Sequence, residues 1–120
     1  MKLKSKSLRE VLASKIHLAT ITEANLNYIG SITIDKVLMD LVGIWPGQKM
    51  LVVDVTNGVR LETYAIPGKP NSGAICMNGA AAHLIKKGDK VIIMGFVISN
   101  KPVKPKIILV DKNNKFKKWL

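Results

Sequence analysis

Short runs of apolar side chains, broken every few residues by polar or turn-forming ones, recur along this chain from about residue 15 to residue 110. Lys15 to Thr22 mixes polar residues with β-branched and apolar ones, and Ser31 to Ile34 alternates, the period that exposes one face of a strand and buries the other. Further strands are predicted at Met50 to Thr56, Val59 to Ile66, Ala74 to Met77, Lys90 to Ile98 and Lys106 to Val110. Glu23 to Asn27 reads as a turn. One helix is predicted inside this series. Asp35 can cap it, Val37, Leu38, Leu41 and Val42 fall at helical spacing, and Gly43 can end it in a left-handed conformation. Leu8, Val11 and Leu12 share a helical face ahead of Lys15. Asn57-Gly58 predicts a tight hairpin with positive φ at both residues. So many short strands in 120 residues give a mainly β, single domain with short helices, and a small closed barrel is the preferred architecture.

Composition sharpens this in two ways. Aromatic residues make up only 5% of the chain against a hydrophobic total of 48%, so the core must be aliphatic. The longest apolar run, Val91 to Ile98, is far shorter than the roughly 20 residues of a membrane-spanning helix, so no membrane partner is expected. No secretory signal is recognised after Lys6, and the one cysteine, Cys76, excludes an internal disulfide, so a cytoplasmic location is expected. Cys76 reads as a small buried hydrophobe.

The net charge of +11 raises the question of nucleic acid. Lys2, Lys4 and Lys6 at one end and Lys112, Lys115, Lys117 and Lys118 at the other carry most of the excess, leaving twelve basic and eight acidic residues between positions 7 and 111. Residues 112–120 read as a solvated basic tail. With so few aromatics to stack bases, a nucleic-acid partner is not expected.

No metal-ligand cluster, phosphate loop or Ser-His-Asp spacing is present, and His17 and His83 read on their own as surface or packing residues. The signal comes from local sequences in a fixed order: Lys15-Ile16-His17, Leu26-Asn27-Tyr28-Ile29-Gly30-Ser31, Asn57-Gly58-Val59-Arg60, Thr63-Tyr64-Ala65-Ile66 and Asn78-Gly79-Ala80-Ala81-Ala82. Together, over roughly residues 8 to 115, they closely resemble the bacterial aspartate 1-decarboxylase family.

The resemblance implies a six-stranded double-psi β-barrel and a proenzyme that cuts itself between Gly30 and Ser31. The pieces would be residues 1–30 (the β chain) and 31–120 (the α chain). Ser31 would become a pyruvoyl group, the only cofactor, with neither pyridoxal phosphate nor a metal, and would bind L-aspartate as a Schiff base in the β-alanine step of pantothenate biosynthesis. Glycine before the serine would let the backbone reach the strained geometry that brings Oγ onto the preceding carbonyl. The resemblance assigns Arg60 and Lys15 to the substrate carboxylates, Tyr64 to proton donation, and Thr63 and Asn78 to orienting the scissile carbonyl or pyruvoyl oxygen. It places Tyr28 and His17 in the pocket and gives Gly79, Ala80 and Ala81 main-chain contact with substrate. The site would lie between subunits of a homotetramer.

On a regular strand Arg60 and Tyr64 share a face, roughly 13 Å apart, and Thr63 faces the other way. Ile29, Val53 and Glu62 depart from the family pattern, in which glutamate, an aromatic residue and serine are usual at those positions.

Overall fold

The structure, a computed structural model, describes residues 7–120. Nine strands and one α-helix follow in the order β1 (Arg9–Thr20), β2 (Glu23–Asn25), β3 (Ser31–Asp35), α1 (Lys36–Val42), β4 (Lys49–Asp54), β5 (Arg60–Gly68), β6 (Ile75–Asn78), β7 (Lys90–Ser99), β8 (Lys106–Val110) and β9 (Phe116–Trp119). A 3-10 helix at Gly79–His83 follows β6 directly. The strands pair in one run, β2-β6-β3-β5-β4-β7-β1-β8-β9. Most pairs are antiparallel, while β3 with β5, β1 with β8 and β2 with β6 are parallel. The six-stranded closure expected from the sequence is not what the backbone pairing gives: the run is open, and short strands of three and four residues, β2 and β9, form its edges.

The core is aliphatic, as the low aromatic content requires. Ile16, Ile32, Ile34, Ile75, Ile93 and Ile108 are fully buried, and no aromatic side chain is among the buried residues. Along β4 the buried positions are Met50, Val52 and Asp54. This period of two points Leu51 and Val53 to the outer face.

Helix α1 forms where the sequence placed it, burying Leu38, Met39 and Val42 and ending at a left-handed Gly43. Its cap does more than start a helix. Asp35, 1% exposed, accepts hydrogen bonds from the backbone N–H of Val37 at 2.9 Å and Asn71 at 3.0 Å through Oδ1, and of Gly73 at 2.9 Å through Oδ2. A buried carboxylate is tolerable only when its oxygens are filled in this way. Asp35 thus ties the end of β3 to the loop before β6.

Three local expectations are corrected. Residues before Lys15 belong to β1, paired from Arg9 with Ser99, because β7 offers a partner strand that no sequence window shows. Glu23–Asn25 is a strand, because it pairs with β6 in parallel, and the turn begins only after it. At Asn57-Gly58 only Gly58 is left-handed; the loop is longer than a two-residue hairpin, with Asp54 N–H donating to the Val59 carbonyl.

The tail contradicts its charge. Phe116–Trp119 pairs with β8, and Asn114 is 1% exposed. Its Nδ2 donates to the carbonyls of Thr20 and Gly73, each at 2.8 Å, and its Oδ1 accepts from Thr20 N–H at 2.8 Å. Lys112, Lys115, Lys117 and Lys118 are exposed around this anchor. Lys2, Lys4 and Lys6 lie outside the described residues.

One buried polar group lacks an ordinary donor. Asp54, fully buried at the end of β4, takes the Thr56 N–H on Oδ1 at 2.7 Å, while Oδ2 meets no N–H or neutral O–H donor among the described residues. Burial pushes its carboxyl up, and the hydrogen-bonded Asp89 side chain pushes the same way. Asp89 is pushed down, first by Asp54 and then by the Lys86 N–H. One proton held between the two carboxyl groups accounts for both directions. A raised carboxyl stabilises the fold fully below its unfolded value and loses that contribution as pH rises through its folded value; the lowered Asp89 does the reverse at acid pH. The melting temperature of the wild type should therefore decline relative to Asp54→Asn as pH rises from roughly 4 towards 8. Asn keeps the Thr56 contact and offers Asp89 a permanent donor. Parallel melting curves across that range would contradict a shared proton.

Candidate active site

Ser31 opens β3 and is 2% exposed. Two registers determine its neighbours. The antiparallel pairing of β3 with β6 sets Ser31 opposite Asn78, and the parallel pairing with β5, which matches Ile32 to Ala65, brings the start of β3 beside Tyr64. Asn78 Nδ2 donates to Ser31 Oγ at 3.0 Å and to Thr33 Oγ1 at 2.9 Å. The Ser31 hydroxyl donates to the Ile29 carbonyl at 3.2 Å.

This cluster lies on a cleft of about 500 Å³ walled by Ser31, Thr33, Asn78, Cys76, Tyr28 and Tyr64, with Glu23, Ile29, Ile66 and Pro67 completing it. Five residues singled out in the sequence thus meet around one hydroxyl or immediately behind it: Tyr28, Ser31, Tyr64, Asn78 and, against the backbone, Gly79. Tyr64 is 38% exposed, with its ring on the cleft wall.

The demand for glycine is not where the sequence argument put it. Gly30 lies outside the left-handed region, and a Cβ there would meet only the Asn78 carbonyl oxygen at 3.9 Å, an ordinary contact. Gly79 is the constrained position. Its φ is +77°, and a Cβ would stand 2.6 Å from Gly30 Cα and 2.8 Å from Gly30 N. The backbone at Gly79 therefore packs directly on the N and Cα of Gly30, the residue that precedes Ser31.

The remaining expected residues are elsewhere. Arg60 and Tyr64 do face the same way along β5, with Thr63 on the inner side, as alternation predicts. Arg60, however, is at the far end of the strand, and neither it nor Thr63 lines the cleft. Lys15 and His17 are on β1, separated from β5 by β7 and β4. Lys15 pairs with Met94, Met94 with Leu51 and Leu51 with Glu62, so three strand spacings, roughly 14 Å, separate Lys15 from β5. Ala80 is exposed and Ala81 half-buried on the 3-10 helix, beside the cleft wall rather than in it. Among the described residues Glu23 is the only charged one on the wall, and none of them brings a cation there to meet an acidic ligand.

The three departures from the family pattern now have places. Ile29 is 83% exposed at the cleft rim. Glu62 pairs with Lys49 at 2.5 Å, and that hydrogen bond holds the ammonium above its ordinary value. Val53 is half-buried and pairs with Arg60 across β4 and β5.

Sequence reasoning passed over Thr33 and Cys76. Cys76 is half-buried on the cleft wall rather than in the core, its Sγ 3.7 Å from Thr22 Oγ1. The period of two was the available signal: Thr33 is two residues beyond Ser31 on β3, and Cys76 two residues before Asn78 on β6.

A buried strand-opening serine, held by an asparagine amide and with a tyrosine beside it on the neighbouring strand, lines a cleft large enough for a small ligand. The aspartate decarboxylase family pattern matches residues 7–117. The chain is 53% identical to the aspartate 1-decarboxylase of Neisseria meningitidis, over 91% of this chain and 89% of that protein. It is 56% identical to that of Caldicellulosiruptor saccharolyticus, over 92% and 90%, and 50% identical to that of Bacillus subtilis, over 93% and 91%. The chain belongs to the aspartate decarboxylase family.

Gly79→Ala should destabilise the protein by roughly 2–4 kcal/mol, since left-handed strain and overpacking add. Gly30→Ala should cost under about 1 kcal/mol. Urea denaturation of the two variants checks this, and equal losses would remove the distinction between the two glycines.

Proposed function

We propose that this protein is made as a proenzyme that cleaves itself between Gly30 and Ser31 and then converts L-aspartate to β-alanine and carbon dioxide, using a pyruvoyl group derived from Ser31. The observation that carries the reading is the hydrogen-bonded cluster of Ser31, Asn78 and Thr33 on the cleft shared with Tyr64.

In the cleavage, Ser31 Oγ attacks the Gly30 carbonyl carbon, the amide C–N bond breaks, and an ester forms. Loss of the Ser31 Cα proton then expels the Gly30 carboxylate from Cβ. The remaining enamine takes up one water and releases one ammonia, leaving a ketone at residue 31. Asn78 N–H supports the charge that develops on Oγ. The packing of Gly79 on Gly30 holds the scissile bond still while this happens.

The residues present fit a ketone at position 31, because the Asn78 N–H loses its acceptor when Oγ leaves with the Gly30 carboxylate and is then a free donor beside residue 31. That group supplies an electrophile for the substrate amine and a sink for the electrons of the carboxylate bond. Tyr64 supplies the proton to the substrate carbon from the neighbouring strand.

Aspartate has two carboxylates, and the cleft wall of one chain carries only Glu23 as a charge. Arg60 and Lys15, on the outer face of the sheet, serve this purpose if a second copy brings them to the cleft. This supports a homotetramer with sites between subunits. Arginine suits the role through its bidentate fork. The parallel pairs β3 with β5 and β1 with β8 support reading the central strands as a double-psi barrel. The family's place in pantothenate biosynthesis and a cytoplasmic location complete the proposal.

Full-length protein, warmed without protease, should give two fragments, the larger lighter by one ammonia than hydrolysis after Gly30 would leave it. Ser31→Ala should remain intact. Persistence of the uncut wild-type chain, or a larger fragment beginning with unaltered serine, would sink the proposal. Arg60→Ala should still cleave yet lose most turnover of L-aspartate, by roughly 2–5 kcal/mol of transition-state stabilisation. Turnover measured as β-alanine formed with time decides it, and an unchanged rate would remove Arg60 from substrate binding.

A further inference from the structure

Thr33 belongs to the cluster around Ser31 but takes part in no step of the scheme so far, and it makes one of the two side-chain contacts of the Asn78 amide nitrogen. A primary amide has two N–H bonds and one oxygen. Asn78 spends its nitrogen on two hydroxyl oxygens of the same strand face, Ser31 Oγ at 3.0 Å and Thr33 Oγ1 at 2.9 Å. The residue is 7% exposed, so water is a poor substitute for either contact. Thr33 Oγ1 is thereby the second of the two contacts that hold the amide nitrogen against this strand face.

The rotation matters to Ser31. With nitrogen towards Oγ, the amide donates, and the serine proton is left to the Ile29 carbonyl. Turned over, the amide would present Oδ1, an acceptor, to an oxygen that must give up its proton, and so carry negative charge, before it attacks the Gly30 carbonyl. A donor stabilises that charge and an acceptor opposes it. With its proton given to the Ile29 carbonyl, Ser31 Oγ can only accept from the amide, and Thr33 Oγ1, taking the second N–H, fixes the plane in which the amide points at it.

We infer that Thr33 is a positioning residue that holds the Asn78 amide with its N–H towards Ser31 and thereby sets the rate of self-cleavage. This deepens the proposed function and rests on the self-cleavage reading. Thr33 does not touch the bonds that change; it acts through Asn78.

The side chain's two branches face different neighbours, which separates positioning from packing. The hydroxyl meets Asn78, while the methyl Cγ2 meets β5 at Gly68, where a Cβ would stand 3.0 Å from it. Thr33→Val keeps the methyl contact and loses the hydroxyl. Thr33→Ser does the opposite.

The experiment is a time course of intact mass on full-length chains made by cell-free synthesis and quenched at intervals, for the wild type, Thr33→Val, Thr33→Ser and Thr33→Ala. Thr33→Val should cleave at least about tenfold more slowly, a fraction of the loss seen when an oxyanion donor is deleted outright, and Thr33→Ser should stay within about twofold of the wild type. If Thr33→Val does not fold, as read by circular dichroism, Thr33→Ser and Thr33→Ala give the same comparison, since they differ by the hydroxyl alone, and the alanine chain should be the slow one. Cleavage of a folded Thr33→Val at the wild-type rate overturns the inference. So does Thr33→Ser slowed as much as Thr33→Val, which would show that any change of packing at this position slows cleavage whether or not the hydroxyl is kept, and so do equal rates for serine and alanine. A wild-type chain that never cleaves overturns the self-cleavage reading itself and this inference with it; that result is read from the wild-type arm alone.

Discussion

The site depends on the register of β3 against β6. Setting Ser31 opposite Asn78 puts a hydroxyl and an amide within 3.0 Å of each other from residues 47 apart in the chain. It also carries Gly79, the next residue, onto the backbone of Gly30. A one-residue slip would turn Ser31 away from Asn78 and drive Ile32 and Ile34 out of the core, so the burial of these two isoleucines enforces the catalytic register. Core packing and site geometry are in this sense the same constraint.

Around that register the fold spends buried polar groups on anchoring loops. Asp35 gathers three backbone N–H groups at the end of β3, and Asn114 bridges the end of β1 to Gly73. Both meet the same loop, the one that feeds β6. The strand that bears Asn78 therefore starts from a loop pinned on two sides, which limits how far the amide can drift from Ser31. The Asp54 and Asp89 pair serves the hairpin that leads to Arg60, at the cost of making that corner sensitive to pH.

Electrostatics divides the chain. The wall around Ser31 has hydroxyl, amide, thiol and phenol groups and a single carboxylate, while Arg60 and Lys15 stand on the outer sheet face. A dianionic substrate needs both halves. Under the proposed function a second copy would bring Arg60 and Lys15 to the cleft, and assembly would then be linked to substrate choice.

The sequence by itself determined the class of fold, the helix and most of the strands, because hydrophobic alternation, an aspartate cap and a glycine stop are local signals. It also marked Ser31, Tyr28, Tyr64, Asn78 and Gly79, since their motifs carry them in fixed order. Alternation alone correctly placed Arg60 and Tyr64 on one face with Thr63 on the other. Tertiary structure decided whatever depends on pairing between distant segments. Leu8 to Leu12 could read as a helix until β7 supplied a partner, and a lysine-rich tail read as solvated until Asn114 and β9 found theirs. The same holds within the site: Thr33 and Cys76 looked like ordinary strand residues, and Gly30 rather than Gly79 looked like the constrained glycine. Strand register and close approach of backbones are properties of two segments at once, and no window of one segment contains them.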